Sequence, residues 1–428
     1  MNMVVVRQNF QQKNINALGF IFLLGMFAFV PVSIAPVNVF GALALLCFLL
    51  CGDWQEKRRL CSHPLVILFF VLYLISLLGA IHSDGSWADI VYRLKQNRKF
   101  LYPIFILYFI GTERRQKYAL IAVCVGIVAD LVAIYLNDFM LGAAHAIKFS
   151  GGAMFPSPQN HFVTAFAFIL LGFSCLSVFF KTENKWRWLW LLLGILAFIA
   201  EMGINQARTG YLIEFCIVFV FFCHRYGFKG LVRAGLVVGL LFGSFYVLSP
   251  GFKNRINLGI HQVAQYSDSA KSDDLSGNSI GLRLAFYELS AGMWVKGDAE
   301  EKLLGYGTGS LPVISKEYLQ TLRAQEQVPR EAKIPGSELT DPESQYFFYL
   351  VEHGLLGVLY FVAMMLGLYW MTLRLEGFYR DIGRITIIAM GVGCFFNSWM
   401  QTFSISHLLI VVLGIAFFCR ERVNRPDG

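Results

Sequence analysis

The chain has 428 residues, 56% of them hydrophobic and 15% charged, with a mean hydropathy of +0.57 and a formal net charge of +8. Its apolar residues come in runs of about 17 to 20, the length that spans a bilayer. That excludes an ordinary soluble domain and, for want of short alternating segments, an outer-membrane barrel. The cations are spread over short loops between apolar runs, so the charge reads as an orientation signal and not as a nucleic-acid surface.

Arg7 and Lys13 precede a first span over about 17–33, and a turn at Pro36 opens the second, about 35–52. Lys57, Arg58 and Arg59 then mark a cytoplasmic loop, by the positive-inside rule. The third span covers about 64–81. The 82–100 segment is amphipathic and reads as lying on the outer interface, although Arg93, Lys95, Arg98 and Lys99 oppose that placement. Its cations read as the face of an interfacial helix or as an attraction for anionic lipid. A short fourth span, about 100–111, ends at Arg114, Arg115 and Lys117, and the fifth is about 118–136.

The loop 137–159 follows outside, then a sixth span over about 161–180 and a basic loop of Lys181, Lys185 and Arg187. The seventh span, about 188–204, and the eighth, about 210–223, are joined by a very short outer turn, Gln206 to Gly210. Arg225, Lys229 and Arg233 lead to a ninth span, about 234–249. Residues 250–343 form the one long polar segment, where alternating polar and aromatic residues predict helices on the membrane face. Pro342 suits a helix entry. The helix from Glu343 enters hydrocarbon near Gly354 and spans to about Leu373, and two further spans cover about 385–402 and 404–419. The reading is an all-α polytopic membrane protein of about twelve spans with both termini inside. An N-terminal bundle (1–249), an outer loop (250–343) and C-terminal spans with a tail (344–428) follow in order.

The nine cysteines show no metal-ligand spacing and none falls in an outer segment, so a disulfide framework is not expected. There is no phosphate-binding Gly-x-x-x-x-Gly-Lys loop, no zinc helix and no serine elbow. Four places carry candidate chemistry. Gly305-Tyr-Gly-Thr-Gly309 is glycine-rich without a preceding strand pattern, and reads as a turn where backbones meet or a small anion nest. Arg208 sits in the shortest outer turn, either snorkelling to the interface or clamping an anion with its planar fork of donors; Glu201 and Glu214 flank it and are placed to orient it. Arg283 lies on an amphipathic helix in the large loop, as a solvated cation or a ligand. Glu343, Gly354 and Gly357 fall near one helical face at about 100° per residue, a polar cap with packing glycines or a carboxylate at a close backbone approach.

In their order these pieces resemble the superfamily of O-antigen ligases and polymerases, membrane glycosyltransferases of GT-C-like fold. The matching motifs are Phe155-Pro-Ser-Pro-Gln-Asn-His161, Ala207-Arg-Thr-Gly-Tyr-Leu212, the Arg283 helix, Leu304-Gly-Tyr-Gly-Thr-Gly-Ser310 and the Glu343–Gly357 stretch. The resemblance implies transfer of a glycan from undecaprenyl diphosphate on the periplasmic face of a bacterial inner membrane, without metal or other cofactor. A ligase delivers it to the lipid A-core, a polymerase to another lipid-linked repeat. It also implies that Arg208 and Arg283 bind the diphosphate and that Asn160 and Ser344 contact substrate. The family's third residue is usually a histidine with a glycine eleven residues on; here Glu343 holds that position, with Gly354 in register. A glutamate there serves as general base or holds Arg283. A ligase is the expectation, a polymerase the alternative. A transporter would show polar mid-membrane residues and repeated halves; the sequence offers few of the former, Asp130 being one, and no repeat.

Overall fold

The computed structural model describes residues 2–141, 161–205, 207–268, 279–325, 331 and 334–418. Among the described residues the regular elements are all helical. α1 (Asn2–Phe29) and α2 (Ile34–Leu50) form a hairpin, and α3 (Trp54–Cys61) turns off α2 at 117°. The Asp53 side chain accepts from the Glu56 N–H at 3.1 Å, which caps α3 and fixes that corner. α4 (Pro64–Gly79) begins with proline in its first turn, where no N–H is missed. α5 (Trp87–Asn97) leads through a 3₁₀ turn, Arg98–Leu101, into α6 (Tyr102–Ile110), and α7 is Glu113–Leu141.

α8 (His161–Lys181) and α9 (Arg187–Ile199) pack closely, because Gly172 and Gly194 face each other and let the backbones approach. α9 continues as a π-helical turn, Ala200–Asn205. α10 (Arg208–Tyr226) and α11 (Phe228–Leu248) form the next hairpin, and α11 is the most exposed of the long apolar helices. The polar segment holds α12 (Pro250–Asp268), α13 (Ser279–Lys296), α14 (Ala299–Leu304) and α15 (Leu311–Arg323). α16 (Gln345–Thr372), α17 (Gly377–Phe396) and α18 (Phe403–Phe417) complete the chain. α18 is buried from Ser404 to Phe417 and packs on α6, α8 and α17. An all-round apolar helix belongs at such a centre.

Six of these helices are long and apolar enough to cross a membrane, in α1, α7, α8, α9 with its π turn, α11 and α16. The bent α2–α3 pair makes seven. Each of the twelve expected spans overlaps a helix, but several of these helices are too short or too polar to cross by themselves. α6 has nine residues, about 14 Å at 1.5 Å per residue, less than half a hydrocarbon core. It is a half-helix buried among its neighbours, with Phe105 to Ile110 inside.

The four cations of the 82–100 segment divide, with Lys95 and Arg98 exposed and the other two turned inward. Arg93 and Lys99 are buried. Arg93 donates to the Thr340 carbonyl at 2.7 Å, lies 3.7 Å from the Glu352 carboxylate and stacks over Phe348 at 4.8 Å. Arg93 is therefore built into the joint between the polar segment and α16, and Lys99 lies inside with its ammonium 5.8 Å from the Phe100 ring centre. Asn97 donates to Ser76 at 3.0 Å and ties the same segment to α4.

Candidate functional site

The site begins with a broken helix. Gly354 has φ 62° and ψ −161°, so α16 is interrupted there, and the carbonyls just before the break lose their helical partners. The glycine-rich loop supplies new ones. The Tyr306 N–H donates to the Val351 carbonyl at 2.9 Å, and the Gly307 N–H to the Glu352 carbonyl at 3.0 Å. Across the loop, Thr308 donates through N–H and Oγ1 to the Gly79 and Ser76 carbonyls at 3.0 and 2.7 Å. A meeting of backbones is found here, with the Tyr306, Gly307 and Thr308 N–H groups spent on carbonyls of α16 and α4, while the Gly309 backbone hydrogen-bonds the Glu352 carboxylate. This seam fixes the first half of α16, and with it Glu343 and Ser344 just before that helix.

Glu343 sits at φ 50°, the one non-glycine residue with positive φ among the described residues. Such a conformation costs of order 1–3 kcal/mol and has to be held by its surroundings. Here the Glu343 N–H donates to Asp341 Oδ1 at 2.8 Å, and the Ser398 hydroxyl donates to the same oxygen at 2.6 Å. Burial pushes the Asp341 carboxyl up, against these two hydrogen bonds that pull it down. The turn aims the Glu343 side chain at Arg283 of α13, whose Nε pairs with Oε2. Tyr287, one turn along α13, donates to the Phe395 carbonyl at 3.1 Å and lies 3.4 Å from the Glu343 carbonyl. The Arg283 guanidinium lies 5.7 Å from the centre of the Phe162 ring, at the start of α8.

Arg208 opens α10, on the same side. Its Nη1 donates to Gln262 Oε1 of α12 at 2.8 Å, and Ser279 at the start of α13 donates to that oxygen at 3.3 Å. Its Nε and Nη2 are buried with no acceptor among the described residues. The Gly259 backbone lies against the guanidinium, where a side chain would sit 3.8 Å from Cζ. Burial disfavours the charged form of Arg208, and the charges of Arg255 and Arg283 disfavour it further. An arginine does not give up its proton, so this surplus of positive charge calls for an anion. His161, the first residue of α8, is also within electrostatic reach of Arg255 and Arg283. The positive ends of α8 and α10 add to the field.

A groove of about 440 Å³ runs from Arg208 and Arg255 along α10 and α12, walled by Leu212, Phe215, Phe242 and Ile260. Apart from Arg208, Arg255 and Tyr211 its lining is apolar. That pairing suits a charged head on a hydrocarbon tail.

The two expected arginines and Glu343 therefore meet in one place. Ser344 is wholly buried at the N-cap of α16, with its hydroxyl unpartnered among the described residues. Asn160 lies outside the described residues. Glu201 and Glu214 do not orient Arg208. Both are buried; Glu201 accepts from Asn205 at 2.6 Å, and Glu214 makes no hydrogen bond among the described residues. Glu214 is six residues beyond Arg208, about 240° around the helix, so it points elsewhere. Glu201 sits in the π-helical turn, which carries it inward. The face shared by Glu343, Gly354 and Gly357 is likewise lost, since α16 starts at Gln345 and breaks at Gly354. Arg255 was missed. Its signal was the spacing of Arg255, Gly259 and Gln262 at i, i+4 and i+7, one face of a helix.

Among the described residues no cluster of His, Cys, Asp and Glu is arranged to hold a metal ion. Family models give no match to the chain. No curated protein matches it either. The functional reading therefore rests on the geometry above and on the order of the motifs.

Glu343→Gln keeps an acceptor for Arg283 and removes both charge and basicity. If Glu343 takes a proton from a hydroxyl, the variant is expected to lose about 10²-fold or more in turnover with an unchanged elution profile. Full turnover in that variant would leave Glu343 only the task of holding Arg283.

Proposed function

We propose that this protein is a membrane glycosyltransferase that moves a glycan from a polyprenyl diphosphate, undecaprenyl diphosphate in bacteria, to an acceptor hydroxyl. The observation that carries the reading is the groove that Arg208 and Arg255 line together with apolar side chains, within electrostatic reach of Arg283. Lipid diphosphates have that division of charge and hydrocarbon, and arginine forks match phosphate oxygens.

In the transfer, the acceptor oxygen attacks the anomeric carbon as the bond from that carbon to the phosphate oxygen breaks, with inversion. Negative charge grows on the departing diphosphate. Preorganised cations aimed at that charge supply the rate, and the helix N-termini act in the same sense. The acceptor's proton passes to the Glu343 carboxylate, which Arg283 keeps in place.

The preferred acceptor is the lipid A-core, which makes the protein an O-antigen ligase. It would work from the inner membrane with its site towards the periplasm, in a bundle of about twelve spans of GT-C-like fold. The order of the motifs around the large polar segment favours this superfamily. A purified-protein assay with lipid-diphosphate glycan and core acceptor tests it. Sugar on the core is the expected product; longer lipid-linked chains would identify a repeat-unit polymerase. Neither product from folded protein would reject the transferase reading.

A further inference from the structure

Far from the arginine cluster, α8, α10 and α17 enclose a second cavity of about 260 Å³. It includes Lys181, the last residue of α8, about 30 Å along that helix from His161. Three cations, Lys181, Arg380 and Arg384, share it with one carboxylate, Asp381. Asp381 Oδ2 already accepts from Lys181 Nζ at 2.5 Å and from the Ser177 hydroxyl at 2.6 Å. Arg380 Nε is 3.8 Å from Oδ1, too far for a hydrogen bond, and is buried without an acceptor among the described residues. Arg384 is buried, and its Nε spends itself on the Thr372 hydroxyl at 3.3 Å. The excess of cations over carboxylate is therefore not neutralised locally.

The rest of the lining is hydrocarbon: Ile217, Val220 and Phe221 of α10, and Ile385 and Ile388 of α17. A free inorganic anion has no use for that wall, whereas an acyl chain does. We propose that this cavity binds an anionic phospholipid, its phosphate on Arg380 and Arg384 and its chain against the α10 and α17 wall. Basic pockets between membrane helices recognise such head groups by charge, and arginine adds directed hydrogen bonds to phosphate oxygens. The site shares no residue with the glycan site, so either assignment can fail without the other.

Delipidated full-length protein, titrated with phosphatidylglycerol or phosphatidylcholine and followed by native mass spectrometry, tests the proposal. Phosphatidylglycerol is expected to bind about tenfold more tightly or better. Arg380→Gln, at a side chain 36% exposed, is expected to lose most of that preference without a change in unfolding temperature. Arg380→Lys should keep much of it. Inorganic phosphate at the same concentration should not displace the lipid; displacement would make a free oxyanion the occupant and overturn the lipid assignment. Equal binding of the two lipids would overturn the site. So would a preference that survives Arg380→Gln combined with Lys181→Gln.

Discussion

Alanine at Arg208 or at Arg283 is expected to reduce glycan transfer by about 10²–10³-fold, the usual loss when one preorganised charge stabiliser is removed. The two side chains come from elements 75 positions apart in number, yet α12 and α13 bring them within electrostatic reach of each other. If they neutralise one leaving group together, their effects are not additive. The double variant then falls little further than the worse single one. Arg255→Ala is expected to cost less, about tenfold, because that side chain is exposed and its charge is screened. The assay must be paired with an elution profile showing folded protein. Transfer within twofold of wild type in either single variant would remove the site assignment.

The second large effect is on stability. Gly305 has φ 78°, and a side chain there would collide with the backbone of Glu352, His353 and Gly354. Gly354 has φ 62°, and a side chain there would lie 2.5 Å from the Gly305 nitrogen and the Leu303 carbonyl. Valine at either position meets two penalties, a backbone conformation costing about 1–3 kcal/mol and overpacking of similar size. Both variants are expected to lose about 3 kcal/mol or more and to unfold at clearly lower temperature or fail to accumulate. Gly239→Ala is the control. Apart from its chain neighbours and the adjacent backbone of its own helix, no atom lies within 4 Å of the added carbon, and alanine favours the helix interior, so stability should hold or rise slightly. Wild-type stability in Gly305→Val would mean that the seam between the loop and α16 does not hold the site together.

Much of this architecture is legible in the sequence because hydropathy is a local property. A run such as 161–180 has to become a buried or membrane helix whatever surrounds it, and α8 does. Arg208 and Glu343 stand out as charges beside apolar runs, whereas Arg283 is singled out by the order of the motifs in the family resemblance. What was not legible depends on how a helix starts, bends or ends. The reach of Glu201 towards Arg208 presumed α-helical phase, and the π-helical turn changed it. The face joining Glu343 to Gly354 presumed an unbroken helix, and the loop at Gly305 to Gly307 breaks it by offering N–H groups to its carbonyls. Arg255 was hidden because a cation in a polar segment looks solvated until α12 is laid against α10. Arg93 and Lys99 looked like interface residues for the same reason, and are inside.

Equilibrium binding of a glycan-free polyprenyl diphosphate to the purified protein goes most directly to the guanidinium cluster. Wild type is expected to bind it about tenfold or more tightly than the folded Arg208→Gln/Arg283→Gln double variant, and to prefer it over the matching polyprenyl alcohol. Equal affinity of wild type and double variant, or no preference for the diphosphate, would contradict a phosphate site at these arginines.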